Sequence, residues 1–172
     1  MLGIKKYIGI YGVSSLTVIL LINLLGIKET HNIIMKDLGF TDVWTIFANN
    51  ISFIGLGFLL SGVGLSLILI LKIFLIIGEG PLEAGINPFV YYFSSVAHGL
   101  IELFVGCILF CFTISQFKEF LNYMRGYNDF SNLKFFYYKT FKITLPVTSI
   151  LLLVGAFLEV YVSKNLIKLF IS

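Results

Sequence analysis

Charge is what this chain has least of. Only 12% of its 172 residues are Asp, Glu, Lys or Arg, while 58% are hydrophobic and 16% aromatic, and its mean hydropathy is +0.99. That leaves too little polar surface for a soluble domain and places the chain among integral membrane proteins. Cysteine is almost absent. Cys107 and Cys111 stand four apart on one apolar stretch, too close for a good disulfide within a helix and not arranged as a paired CxxC zinc motif, so they read as small buried hydrophobes. There is no GKS/T phosphate-binding motif, so any use of ATP belongs to a separate subunit. No small-residue A-x-A site follows the first apolar run, so Lys5 and Lys6 introduce a retained span rather than a signal peptide. At roughly 20 residues per crossing, the spans consume the chain and leave no room for a separate catalytic or nucleic-acid-binding domain.

What remains is a series of long apolar runs, which predicts an all-α, polytopic transmembrane helical bundle in one domain, 1–172. The spans fall at about 7–26, 44–60, 63–77, 89–115 and 143–162. Between the first two, 27–42 is polar and reads as an interfacial loop or short amphipathic helix. As a single helix, Trp44 to Ile77 would extend about 50 Å against a hydrocarbon core of about 30 Å. It must therefore kink or fold into a hairpin, and Ser61 with the glycines at 55, 57, 62 and 64 offers the break. Gly78 to Pro88 reads as an acidic connecting loop with Glu79 and Glu83. The segment 116–142 reads as a basic loop carrying Lys118, Arg125, Lys134, Lys139 and Lys142. Ser163 to Ser172 either extends the last span or lies along the interface.

The positive-inside rule puts the basic 116–142 loop in the cytoplasm, and the 78–88 loop and the C-terminus outside. If Lys5 and Lys6 are cytoplasmic too, 44–77 crosses twice and the total is five; a single crossing gives four. Five is favoured. The net charge of +3 fits contact with anionic lipid headgroups rather than nucleic acid.

Ionisable groups inside such runs are expensive, costing about 2.5 kcal/mol or more at the centre of a membrane helix, so they pair, titrate or bind something. His98 and Glu102 are related as i and i+4 and share one helix face. Glu159, in the last span, is the candidate third acidic group. One imidazole and two carboxylates form a ligand set suited to catalytic zinc or another divalent ion. The same groups also fit a protonated or hydrogen-bonded cluster that pins helices together, or a proton or ion path. Asn49 and Asn50 form a second polar island that could orient a peptide carbonyl, support the ligands or hold His98, or act as interhelical glue. Ser94, Ser95 and Thr113 read as ordinary membrane-helix hydroxyls.

Phe47-Ala-Asn-Asn-Ile, a glycine-rich apolar stretch, Ala97-His-Gly-Leu-Ile-Glu102 and Val154-Gly-Ala-Phe-Leu-Glu159 occur in that order. Together they resemble the stage II sporulation protein M (SpoIIM) family of polytopic membrane proteins, over roughly Trp44 to Ser163. Ala97 stands where the family commonly has proline, and Lys72-Ile73 stands near the family's later Asn-Gly pair. These departures turn the expectation away from the sporulation role of the family's namesake. A compact branch of this size is encoded with circular bacteriocins. The resemblance implies a component of a Gram-positive bacterial cytoplasmic membrane that serves maturation and secretion of a hydrophobic precursor peptide, alongside an ATPase subunit and other membrane proteins.

On that expectation His98, Glu102 and Glu159 carry leader cleavage or cyclisation as catalytic or metal-binding residues, and Asn49 and Asn50 position the peptide. Two rival classes stand beside it. One is a non-catalytic subunit of a peptide export, immunity or sporulation complex, with an ATPase on the basic loop. The other is an ion- or proton-coupled carrier, which would need a homo-oligomer to enclose a path.

Overall fold

The computed structural model describes residues 2–26 and 38–171, and throughout them the regular structure is helical. The expected interfacial segment at 27–42 falls mainly on 27–37, outside the described residues. Seven α-helices follow in order: α1 (Leu2–Leu25), α2 (Phe40–Leu60), α3 (Ser66–Ala84), α4 (Pro88–Met124), α5 (Phe130–Lys139), α6 (Leu145–Leu158) and α7 (Lys164–Ile171). One-turn π-helical segments, Thr140–Thr144 and Glu159–Ser163, join the last three into a nearly unbroken rod. Among the described residues, four stretches are long and apolar enough to cross a membrane: Lys5–Leu25, Phe40–Val63, Pro88–Met124 and Phe130–Phe170. The chain is a membrane-type, all-α bundle.

The 44–77 stretch folds as a hairpin. After α2 the chain tightens into a 3₁₀ turn at Ser61–Val63, and Gly64 takes φ 79°, a left-handed conformation open to glycine without steric cost. The two arms then run antiparallel: the Lys72 ammonium lies 5.7 Å from the Phe53 ring centroid, and Asn49 and Asn50 face the same cavities as Ile76 and Ile77. The turn is anchored at the bundle end where Gln116 sits, fully buried, with its Oε1 accepting from the Ser61 hydroxyl.

Two stretches expected to be loops are helix. The 78–88 segment forms the last turns of α3, and only Gly85 to Asn87 connects to α4. Pro81 is tolerated inside α3 because the backbone acceptor it strands finds other donors. A proline at 81 cannot bond the carbonyl of Ile77, and the Tyr92 hydroxyl donates to that oxygen at 3.3 Å instead. Asn23 Nδ2 donates to the neighbouring Gly78 carbonyl at 3.4 Å. α3 is as apolar on average as the other long helices, but it carries three ionisable side chains, Lys72, Glu79 and Glu83, within 19 residues. The basic 116–142 segment is likewise the end of α4, a short turn around Gly126 (φ 75°), and α5. The 37 residues of α4 make a helix about 55 Å long, so it projects well past a 30 Å core. Ser163 onward continues the last rod as α7, which settles that choice in favour of extension.

Long-range contacts sort the ends of the helices. Lys118 donates to the Tyr7 hydroxyl, Gly64 lies beside Phe117, and Gly62 lies under Tyr137. The start of α1, the hairpin turn, the end of α4 and α5 therefore share one basic end. At the other end Gly26 meets Leu82, Phe40 meets Phe157, and Phe93 meets Phe170. Five antiparallel runs result: α1, α2, α3, α4 and the α5–α7 rod.

The bundle centre is Tyr11, Ile54, Phe58, Ile70, Phe74, Val105, Leu109 and Leu152, drawn from every run. Small residues allow the close crossings. Tyr11 seats its ring over Gly106, Leu109 fills the space beside Gly57, and Ile22 that beside Gly78. Outward-facing Leu24, Phe104 and Ile150 are exposed on the helix surfaces, as expected of a bundle solvated by lipid.

Candidate functional site

α4 carries His98 and Glu102 one turn apart, and the i, i+4 spacing brings both to the same wall of a cavity of about 540 Å³. α2 brings Asn49 and Asn50 to that cavity, and the rod brings Glu159. All the site candidates read from the sequence thus line one chamber, otherwise walled by apolar side chains such as Leu16, Ile19, Ile46 and Leu103. The chamber lies in the half of the bundle away from the basic end, since Tyr91 and Tyr92 near the start of α4 and Ile76 and Ile77 near the end of α3 complete it.

Three of these groups, Asn50, Glu102 and His98, are held by a partner from another helix. Asn50 Nδ2 donates to Glu102 Oε1 at 3.2 Å, so the amide island supports the carboxylate and not, as one expectation had it, the imidazole. His98 is held from the rod: its Nδ1 lies 2.7 Å from Ser163 Oγ. Either atom can donate, and the contact engages Nδ1 and leaves Nε2 as the ring nitrogen available to a ligand. Ser163 is 2% exposed and not part of the chamber wall; it fixes the ring from behind and is not placed to attack a ligand.

The π-helical turn Glu159–Ser163 connects these features. Its wider i→i+5 bonding, seen in the Lys164 N–H donating to the Glu159 carbonyl, offsets the helix register between the acid and the hydroxyl. Such π-bulges occur frequently at functional sites. Glu102, Glu159 and the Tyr91 phenol all line this chamber.

His98, Glu102 and Glu159 are the donors a divalent ion would use. They share a chamber without forming a cluster: among the described residues no three His, Cys, Asp or Glu side chains stand close enough to hold one metal ion. His98 also has one ring nitrogen engaged by Ser163. As arranged, the groups suit proton transfer and hydrogen bonding to a ligand.

Ser163, Tyr91 and Tyr92 belong to the site and escaped the sequence reading, and Ser95, read there as an ordinary membrane-helix hydroxyl, lines the chamber too. For Ser163 a signal existed: it stands at i+4 from Glu159, the same spacing as His98 to Glu102. For the tyrosines there was only an aromatic pair at a helix start, which interfacial anchoring explains equally well. Cys107 and Cys111 are free thiols within α4, and Thr113 pairs with Ser66 at 2.9 Å in the bundle interior. No protein-family profile, curated protein or solved structure matches the chain.

Proposed function

We propose that the chain is a SpoIIM-like, multi-pass protein of a bacterial cytoplasmic membrane that takes a hydrophobic precursor peptide into its lipid-shielded chamber, and serves maturation and secretion of a circular bacteriocin. The observation that carries this reading is the convergence of His98, Glu102, Glu159, Asn49 and Asn50 on one largely apolar cavity of about 540 Å³. That volume falls within the usual range of about 300–1,000 Å³ for small-ligand sites. It suits a few apolar residues around one peptide bond.

In leader cleavage, Asn49 hydrogen-bonds the scissile carbonyl, and Glu102, held by Asn50, accepts a proton from a water molecule as its oxygen bonds to the carbonyl carbon. As the C–N bond breaks, Glu159 or His98 returns a proton to the departing amine. The surrounding apolar wall limits water, which favours transfer to an amine over hydrolysis when two peptide ends are to be joined. A zinc or other divalent ion enters this scheme only if the three donors close on it, and metal analysis of the purified protein reads that directly.

The test uses the purified full chain in lipid nanodiscs with a leader-bearing hydrophobic peptide, followed by mass spectrometry. Glu102→Ala and His98→Ala should each slow processing by about 10²- to 10⁴-fold, the usual contribution of a general acid or base. Processing at the wild-type rate by both variants would falsify the catalytic reading.

A second reading rests on the basic end, where Lys118, Arg125, Lys134 and Lys139 stand exposed beside Phe135 and Tyr138. There a nucleotide-hydrolysing subunit would dock, and the chain would be a non-catalytic part of an export or immunity complex. The same substitutions would then lower stability or assembly before they changed any chemistry.

A further inference from the structure

Among the described residues, Lys72 is the one chamber-lining cation that the proposed chemistry does not use. It sits on α3 between Ile70 and Phe74, two members of the bundle's central cluster, so its backbone lies at the depth of the core rather than at a helix end. A lysine at that depth is costly and marks a function unless a partner explains it. Among the described residues it forms no ion pair. Its ammonium lies over the Phe53 ring, 5.7 Å from the centroid, an interaction that steadies a cation without neutralising it.

Lys72 faces a second cavity, of about 210 Å³, lined also by Phe53, Ile54, Ile73, Val105 and Leu152. This smaller chamber shares Asn49, Asn50, Ile76, Ile77 and Glu102 with the larger one. Lys72, whose side chain is exposed, lines the smaller chamber, while Glu102, Asn49 and Asn50 line both, so a cation, a carboxyl group and two amides border adjoining space. A ligand that matches this pattern is an apolar chain bearing a carboxylate at one end and hydrogen-bond donors further along.

We infer that the smaller chamber is a carboxylate site: Lys72 receives the carboxylate of an apolar chain whose body extends past Asn49 and Asn50 into the larger chamber. This rests on the peptide reading above when the carboxylate is the free C-terminus of the hydrophobic peptide. The same chemistry would also accept the headgroup of a fatty acid. For a peptide, the arrangement holds the C-terminal end within reach of Glu102, where the other end of the chain is to be handled.

Equilibrium binding to the full chain in nanodiscs tests this with three probes: a hydrophobic peptide with a free C-terminal carboxylate, the same peptide amidated at that end, and dodecanoate. A charge-assisted contact predicts that the free acid binds about 10- to 100-fold more tightly than the amide. Lys72→Met should abolish that preference and Lys72→Arg should keep it. The comparison of acid with amide on the wild-type protein needs no variant to fold. Equal binding of the two peptides overturns the carboxylate site and leaves the peptide reading standing, as does a preference that survives in Lys72→Met. Lys72-dependent binding of dodecanoate with no binding of either peptide upholds the site and overturns the peptide reading. Binding of none of the three overturns the site.

Discussion

Ser163 shows how much one hydroxyl can decide when the medium offers no water to replace it. Its contact with His98 Nδ1 orients the ring and occupies one imidazole nitrogen, which leaves the other to meet a ligand. Removing it leaves a partly buried ring nitrogen unpaired, at a cost of about 1–3 kcal/mol. Ser163→Ala should accordingly slow peptide processing by about 10- to 100-fold while Ser163→Thr retains most of the rate. Rates measured by mass spectrometry check this, and equal rates for Ala and Thr would remove the positioning role. Asn50 plays the matching part for Glu102. The site is thus built of acceptor and donor pairs that each bridge two helices, which ties its geometry to the packing of the bundle.

Among the elements, the α2–α3 hairpin does most to form the site, because it folds Asn49 and Asn50 back beside Ile76, Ile77 and Lys72. Its turn depends on Gly64 at φ 79°. A side chain there meets the left-handed penalty of about 1–2 kcal/mol. Gly64→Ala should therefore lower thermal stability by about that amount, whereas Gly55→Ala, where an added methyl meets nothing within 4 Å, should leave it nearly unchanged. Melting of the two variants in the same detergent makes the comparison, and equal losses would show that the turn is not strained by a side chain. The π-turn Glu159–Ser163 of the last rod is the complementary device. It offsets the helix register where Glu159 reaches the chamber and Ser163 reaches His98.

At the scale of the whole molecule, five antiparallel runs place the start of α1, the hairpin turn and the end of α4 together at the basic end. Lys5 and Lys6 then lie on the same side as Lys118, Arg125 and Lys134, which agrees with the charge bias of cytoplasmic segments. Single cysteines at Lys6 and Asn128, introduced after Cys107 and Cys111 are replaced by Ala, should be labelled by an impermeant maleimide from one side of oriented vesicles, and a cysteine at Glu83 from the other. Labelling of Lys6 and Asn128 from opposite sides would break the five-run topology. The chamber lies toward the Glu83 end, so a peptide entering it from the lipid would be handled in the half of the membrane away from the basic surface.

The amino-acid pattern alone determined the class of fold, the break near Ser61 to Gly64, and the identity of the costly polar groups. Low charge and long apolar runs have few solutions in lipid, where every backbone amide must be satisfied within a helix. It also placed His98 with Glu102, because i, i+4 geometry is local. Only the tertiary structure decided that Asn50 serves Glu102, that Ser163 serves His98, and that Lys72 shares a wall with the site. Each of those pairings joins residues far apart in the chain. The helical state of 78–84 was hidden for a related reason: glycine, proline and acidic residues read locally as a turn, and Tyr92, arriving from another helix, donates to the Ile77 carbonyl that Pro81 leaves without its helical partner.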